Sequence, residues 1–179
     1  EGKDSTILDS TNSKFFKLSE QKVNPNTELP EWKNKDNYIG LYFNGKSGLK
    51  FNYGDYLDFV NAQRFAIQVT VHLDNKTINE KRYQILSLGA DSSPNGIQLY
   101  INKNMLIFGY QKVFNIRGAL NNFADGWNTL TVVYNNNNLY LYINQKIVME
   151  KNNIPAPILN TNSLLVGIYS QKDLFGFNG

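Results

Sequence analysis

The chain has 179 residues, of which 27 are asparagine and none is cysteine, and its net charge is +3. One domain of this length can bury a sizeable core without disulfides, and the absence of thiols excludes thiolate metal sites and a disulfide framework. Because basic residues form no cluster and no run of about 20 apolar residues occurs, we expect neither a nucleic-acid partner nor a membrane span.

Short apolar runs with a period of two, separated by turn-forming residues, predict about ten β-strands and no long amphipathic helix. Residues 1–37 are rich in Asn, Pro, Ser and Lys and are interpreted as an edge strand and a wrapping segment; residues 38–179 form the main fold. The best candidate for a short helix is 56–62. The predicted strands are 41–43, 49–51, 65–73, 83–89, 97–101, 105–110, 130–134, 139–143, 146–149 and 163–169.

The clearest element is a hairpin formed by 130–134 and 139–143. Apolar residues alternate with other residues in both runs, and four asparagines lie between them. Asparagine tolerates the left-handed backbone angles that a tight reversal needs. If the leucine side of the second run faces the core, Tyr140 and Tyr142 face outward. Many short alternating strands of this kind predict an all-β sandwich.

Five motifs follow one another between Tyr38 and Gly179. They are LYFNGKSGLKF, FAIQVTVHL, YQILSLG with GIQLYINKNMLIFGY, DGW with LTVVY and LYLYINQKIV, and SLLVGIYSQKDLFGFNG. In this order and spacing they resemble the laminin-G-like branch of the concanavalin A-like lectin and glucanase superfamily. The resemblance implies a jelly-roll sandwich of two antiparallel sheets. The FGFNG ending also resembles lectin modules attached to some bacterial sialidases.

Two features depart from the family pattern. Asn144 and Gln145 stand where the family prefers Asp-Gly. The family also continues past its Phe-x-Gly motif into a last strand, whereas this sequence ends at Gly179. We therefore expect either a longer parent protein or another segment in that place of the sheet.

The acidic residues and the single histidine do not predict catalysis. Glucanases of this superfamily carry two or three acidic residues that alternate along one strand, and no such arrangement occurs here. The nearest pair, Asp55 and Asp58, lacks strand spacing and is interpreted as a solvated turn. His72 alone cannot form a His-rich metal centre. We expect a protein that is not an enzyme, with a glycosidase of unfamiliar acid pair as the remote alternative.

A glycan site is predicted on the outward side of two strands. Sugar sites combine an aromatic platform with hydrogen-bonding side chains. Tyr140 and Tyr142 would supply the platform, and Gln68 and His72, which share the outward face of 65–73, would supply polar groups. The alternative is that the tyrosines cover a half-exposed sheet, as tyrosines often do, and that His72 is an ordinary surface residue.

Two further interpretations follow from the resemblance. Laminin-G-like domains often hold calcium at the rim of the sandwich, and Asp91, Asn95 and Asp125 are the candidate ligands for Ca²⁺, which prefers oxygen ligands. The alternative is that these residues serve only turn geometry. Arg117 is the candidate for binding the carboxylate of an acidic sugar through two hydrogen bonds. The alternative is that Arg117 forms a surface ion pair.

The leading hypothesis is therefore a non-catalytic carbohydrate-binding module of a secreted or cell-surface protein. The alternative is a structural or protein-interaction jelly roll in a larger surface assembly. Its partners would be other segments of a larger parent protein, because an unpaired sheet edge invites another strand.

Overall fold

The computed structural model describes residues 6–9, 14–17, 22–52, 63–73, 82–88, 96–110, 114–157, 163–168 and 176–179. Within these ranges the chain forms fourteen strands and no helix. The candidate helix at 56–62 lies outside the described residues. The strands are β1 (Thr6–Asp9), β2 (Lys14–Lys17), β3 (Glu31–Lys35), β4 (Tyr38–Tyr42), β5 (Leu49–Asn52), β6 (Arg64–Leu73), β7 (Arg82–Leu88), β8 (Ile97–Asn102), β9 (Met105–Tyr110), β10 (Phe114–Ala119), β11 (Gly126–Asn135), β12 (Asn138–Ile143), β13 (Lys146–Lys151) and β14 (Ser163–Val166).

The strands form two large antiparallel sheets with one core between them. The six-stranded sheet has the order β10-β9-β8-β7-β14-β5, and the four-stranded sheet has the order β13-β12-β11-β6. Two hairpins, β1–β2 and β3–β4, form separate two-stranded sheets. The predicted jelly-roll sandwich is therefore confirmed. The described part of the chain contains no helix with the length and apolar character needed to cross a membrane.

The core is built from the inward positions that the alternating pattern predicts. Six inward residues of β11 and β12 have no exposed surface: Leu130, Val132, Tyr134, Leu139, Leu141 and Ile143. The Tyr134 ring stacks on Phe65, with 5.3 Å between ring centroids. The Tyr134 hydroxyl donates to the Ile154 carbonyl oxygen at 3.1 Å, so this buried polar group is satisfied.

Asparagine-rich turns join the strands. Four two-residue turns have both residues in the left-handed region, with φ between 46° and 68°. This is the backbone of type I′ hairpins, whose twist matches that of the flanking strands. Five of the eight turn residues are asparagine, which tolerates this region better than most residues. The four turns are Asp36-Asn37, Lys103-Asn104, Asn136-Asn137 and Asn144-Gln145.

Asn144 does more than fill a turn position. Its Oδ1 accepts a hydrogen bond from the Thr129 backbone N–H at 2.9 Å. Its Nδ2 donates to the Asn122 carbonyl at 3.1 Å and to Asn128 Oδ1 at 2.8 Å. This side chain thus joins the β12–β13 turn to β11 and to the loop before it. Three hydrogen bonds thus hold Asn144, at the position where laminin-G-like domains prefer aspartate.

We expect Asn144→Ala to lower the free energy of unfolding by about 2–3 kcal/mol, because alanine loses the hydrogen bonds and disfavours a positive φ. Asn144→Gly keeps the turn conformation and loses only the hydrogen bonds, so its loss should be about half as large. Urea unfolding of both variants measures the difference. An alanine variant as stable as the original chain would contradict this account.

The β3–β4 hairpin lies at one end of the four-stranded sheet and spans the predicted boundary between 1–37 and 38–179. Its turn residues Asp36 and Asn37 stand at that boundary. At the opposite edge of the sandwich, β10 and β13 approach each other, and Gly118 leaves room for Val148 there. The two sheets thus approach each other along one edge, while β4 and β6 lie near the other.

Candidate functional site

The outward side of β12, β11 and β6 carries two cross-strand rows of side chains, which we call the tyrosine face. The first row contains Tyr142, Thr131 and Gln68, and the second contains Tyr140, Val133 and Ala66. Side chains opposite each other on neighbouring strands stand about 4.5–5.5 Å apart at Cβ, so each row is continuous. On β11 and β12 the inward neighbours of these residues are buried residues of the core.

The two tyrosines form a partly exposed aromatic surface. Their ring centroids are 6.4 Å apart and the rings are inclined by 39°. Gln68 is exposed, and its Nε2 donates a hydrogen bond to Thr131 Oγ1 at 3.2 Å. An aromatic surface next to an amide and a hydroxyl suits a ligand that has both apolar faces and hydroxyl groups.

The neighbouring strand β13 extends both rows. Ile147 is opposite Tyr142, and 54% of its surface is exposed. Glu150 is opposite Tyr140 and is also exposed. The tyrosine face therefore continues into an apolar residue on one row and into a single carboxylate on the other.

His72 lies on the same side of β6 as Gln68 but at the far end, under the β3–β4 hairpin. Its ring makes an edge contact with Trp127, with centroids 5.3 Å apart. Its Nε2 is 3.4 Å from Asp36 Oδ2, and only 14% of the side chain is exposed. The structure therefore places His72 at a contact between the hairpin and the sheet, and places Gln68 with the two tyrosines.

Trp127 anchors the hairpin to the sheet, a role that the sequence reasoning missed. Its Nε1 donates to the Lys35 carbonyl oxygen at 3.2 Å, and its ring lies 5.2 Å from that of Tyr38. The preceding Gly126 has a φ of 94°, which other residues rarely adopt. The Gly126-Trp127 pair is the feature of the sequence that could have indicated this anchor.

A second feature, the edge groove, lies between β4 and β6 and has a volume of about 820 Å³. Gln68, Thr70 and His72 stand at its rim on the outward side of β6. Its floor is apolar and includes Ile67 and Val69 on the inward side of the same strand. The sequence pattern assigned both faces of this strand correctly but gave no sign of the groove.

Arg117 is not near the tyrosine face. It lies on β10, at the edge of the six-stranded sheet, and its side chain is exposed. Its neighbours Ile116 and Gly118 are buried, so Arg117 points away from the core on the other layer of the sandwich. The structure does not bring it together with Tyr140 or Tyr142.

The candidate calcium ligands are only partly described. Asp91 and Asn95 lie outside the described residues, and Asp125 is exposed just before β11. Among the described residues, no group of three or more His, Cys, Asp or Glu side chains is placed to hold a metal ion. The nearby Asn122 carbonyl accepts the hydrogen bond from Asn144, so it already has a protein partner. Calcium binding stays a prediction.

Comparison with known proteins identifies the fold. No protein-family model matches the sequence, and no curated protein is significantly similar to it. Among solved structures, the Ruminococcus gnavus IT-sialidase CBM40 bound to alpha2,3 sialyllactose is 13% identical with a TM-score of 0.53, covering 65% of this chain and 71% of its own. Domain 4 of AbnA, a GH43 extracellular arabinanase from Geobacillus stearothermophilus, in complex with arabinotriose, is 16% identical with a TM-score of 0.59. That match covers 89% of this chain and 75% of the AbnA domain chain.

The mouse laminin alpha1 chain, domains LG4-5, is 17% identical with a TM-score of 0.55. The match covers 84% of this chain and 39% of the laminin chain. At these identities the likeness concerns the fold. The chain has a laminin-G-like, concanavalin A-like fold, as the motifs predicted.

Proposed function

We propose that the chain is a non-catalytic carbohydrate-binding module whose ligand lies on the tyrosine face. The single observation that carries this proposal is the pairing of Tyr140 and Tyr142, 6.4 Å apart, with the Gln68–Thr131 hydrogen bond beside them. A sugar ring stacks its C–H face on an aromatic ring, and its hydroxyls exchange hydrogen bonds with amide and hydroxyl groups. Two compared structures hold sialyllactose and arabinotriose, which is compatible with such a role for this fold.

The composition of the two rows favours a neutral glycan. The rows contain no lysine or arginine, and their single charged residue is Glu150. A carboxylated sugar stacked on Tyr140 would lie next to the Glu150 carboxylate on the adjacent strand, and the two like charges would repel each other. The acidic-sugar prediction depended on Arg117, which lies on the other sheet.

The same rows support a role without catalysis. Hydrolysis of a glycosidic bond by the usual mechanism needs two carboxyl groups on either side of the bond. The tyrosine face offers Glu150 alone. A module of this kind holds a larger protein against a glycan, and we propose that it acts at a cell surface or in a secreted protein.

The experiment that tests the proposal is a glycan array probed with the purified chain, once with calcium and once with a chelator. We expect saturable binding to neutral glycans in both conditions. Binding that disappears with the chelator would support the Asp91, Asn95 and Asp125 site as an additional requirement. A folded chain that binds no glycan in either condition would contradict the proposed function.

A further inference from the structure

The two rows of the tyrosine face differ in chemistry. The first row has Thr131 and Gln68 beside its tyrosine, whereas the second has Val133 and Ala66 beside its own. Side chains two residues apart on a strand share one face and stand about 7 Å apart along it, so the two rows are close neighbours. A ligand on this face therefore meets hydrogen-bonding groups in one row and small apolar groups in the other.

The apolar row lies between polar rows on both sides. Beyond it, the next outward position of each strand is polar or charged: Asn138, Asn135 and Arg64. Val133 is partly exposed and Ala66 is exposed, so both are open to solvent. The outward side of β12, β11 and β6 thus carries one narrow apolar strip between hydrogen-bonding groups.

Ala66 makes a recess in the outward side of β6. Its neighbours on that side are Arg64 and Gln68, which have long side chains, whereas alanine ends at Cβ. Alanine is depleted in β-strands, so strand propensity does not account for it at this exposed position. The recess, which we call the alanine recess, lies between Arg64 and Gln68 along the strand and beside Val133 across it. It offers the space of one side chain next to an apolar surface.

The polar row offers one donor and one acceptor to a ligand. Gln68 Nε2 donates to Thr131 Oγ1 at 3.2 Å. This bond uses one proton of the amide and one lone pair of the hydroxyl, so Gln68 Oε1 can still accept and the Thr131 hydroxyl can still donate. An acetamido group is the complement of this pair, because its N–H donates, its carbonyl oxygen accepts, and a methyl group stands beside both.

We infer that the glycan recognised by the tyrosine face carries an acetamido group, as N-acetylhexosamines do. The acetamido N–H donates to Gln68 Oε1, its carbonyl oxygen accepts from the Thr131 hydroxyl, and its methyl group fills the alanine recess against Val133. A sugar with a hydroxyl in its place loses the methyl contact and one of the two hydrogen bonds. Selection of this kind rests on the proposed function, which is glycan binding at the tyrosine face.

Matched sugar pairs test this selection. The two members of a pair differ only in an acetamido group or a hydroxyl at one carbon, as in oligomers of N-acetylglucosamine and of glucose. We expect calorimetry to give the acetamido member a Kd at least tenfold lower. Equal affinities within a pair, or binding only of glycans that lack an acetamido group, would overturn the inference and leave the proposed function standing. A folded chain that binds no glycan would contradict both.

A variant that fills the alanine recess tests the position of the methyl group. Ala66→Val keeps the strand, because valine favours β-strands, and should reduce the preference for the acetamido member to about threefold or less. Thr70→Val is the matched control, since it introduces the same residue at another exposed outward position of β6 and should keep the full preference. An unchanged preference in Ala66→Val, or an equal reduction in Thr70→Val, would overturn the inference.

Contacts of the acetyl methyl group give an independent readout. In the complex with the acetamido glycan, we expect nuclear Overhauser effects between the acetyl methyl protons and the methyl protons of Val133 and Ala66. These two residues are opposite each other on neighbouring strands, with Cβ atoms about 5 Å apart, so one methyl group can contact both. Effects only to other residues would overturn the inference.

Discussion

Replacing Tyr142 by alanine is expected to weaken binding of the glycan that the array identifies by at least about tenfold, or about 1.4 kcal/mol. Tyr142 stands in the same row as Thr131 and Gln68, so its ring is the aromatic surface nearest to the hydrogen-bonding groups. Removing the ring removes the stacking contact, whereas the inward face of β12 is unchanged. Isothermal titration calorimetry measures the affinity.

Two further variants separate the role of the ring from a general loss of aromatic surface. Tyr142→Phe keeps the ring and should weaken binding only a few-fold, by the loss of one neutral hydrogen bond of about 0.5–1.5 kcal/mol. Tyr38→Ala removes a tyrosine that is 59% exposed on the β3–β4 hairpin, away from the tyrosine face, and should leave the affinity unchanged. Equal losses of glycan affinity in Tyr38→Ala and Tyr142→Ala would contradict the proposed site.

Gly167→Ala is expected to lower the free energy of unfolding by about 3 kcal/mol. Gly167 has a φ of 77°, and an added Cβ would lie 2.3 Å from Cδ1 of the Phe43 ring. That ring is buried and makes an edge contact with Phe177, with centroids 6.1 Å apart, so its displacement disturbs further packing. The alanine variant thus combines backbone strain with overpacking.

Gly40→Ala is the matched control. Its added Cβ would meet the Trp127 ring at 3.4 Å, an ordinary contact, and its backbone has no positive φ. We expect its stability to lie within about 0.5 kcal/mol of that of the original chain, because a strand position without a clash tolerates alanine. Urea unfolding of both variants measures the difference. Similar losses in the free energy of unfolding of Gly40→Ala and Gly167→Ala would contradict the packing account of Gly167.

Strands with a run of apolar residues or a clear apolar alternation in the sequence were predictable, and strands without either pattern were not. β11 and β12 show clear alternation because one face of each is fully buried and the other meets solvent. β3 (Glu31–Lys35) was not predicted, because four of its five residues are exposed and its sequence therefore shows no alternation of apolar and polar residues. β10 (Phe114–Ala119) escaped because one of its buried positions is Gly118, which gives no apolar signal.

The site was predictable as far as it depends on alternation within a strand. Alternation places Tyr140 and Tyr142 on one side of their strand and Gln68 and His72 on one side of theirs. Which strands are neighbours, and what covers their ends, depends on tertiary contacts that no local pattern encodes. For this reason the position of Arg117 on the other sheet, the hairpin above His72, and the edge groove required the structure.

The most direct test of the tyrosine face is an NMR titration of the ¹⁵N-labelled chain with the best neutral glycan from the array. The account predicts that the largest amide shift changes fall on β11 and β12 around Thr131, Tyr140 and Tyr142, with smaller changes at Gln68. Changes concentrated on β10 around Arg117, or on β4 from Gly40 to Tyr42, would contradict it.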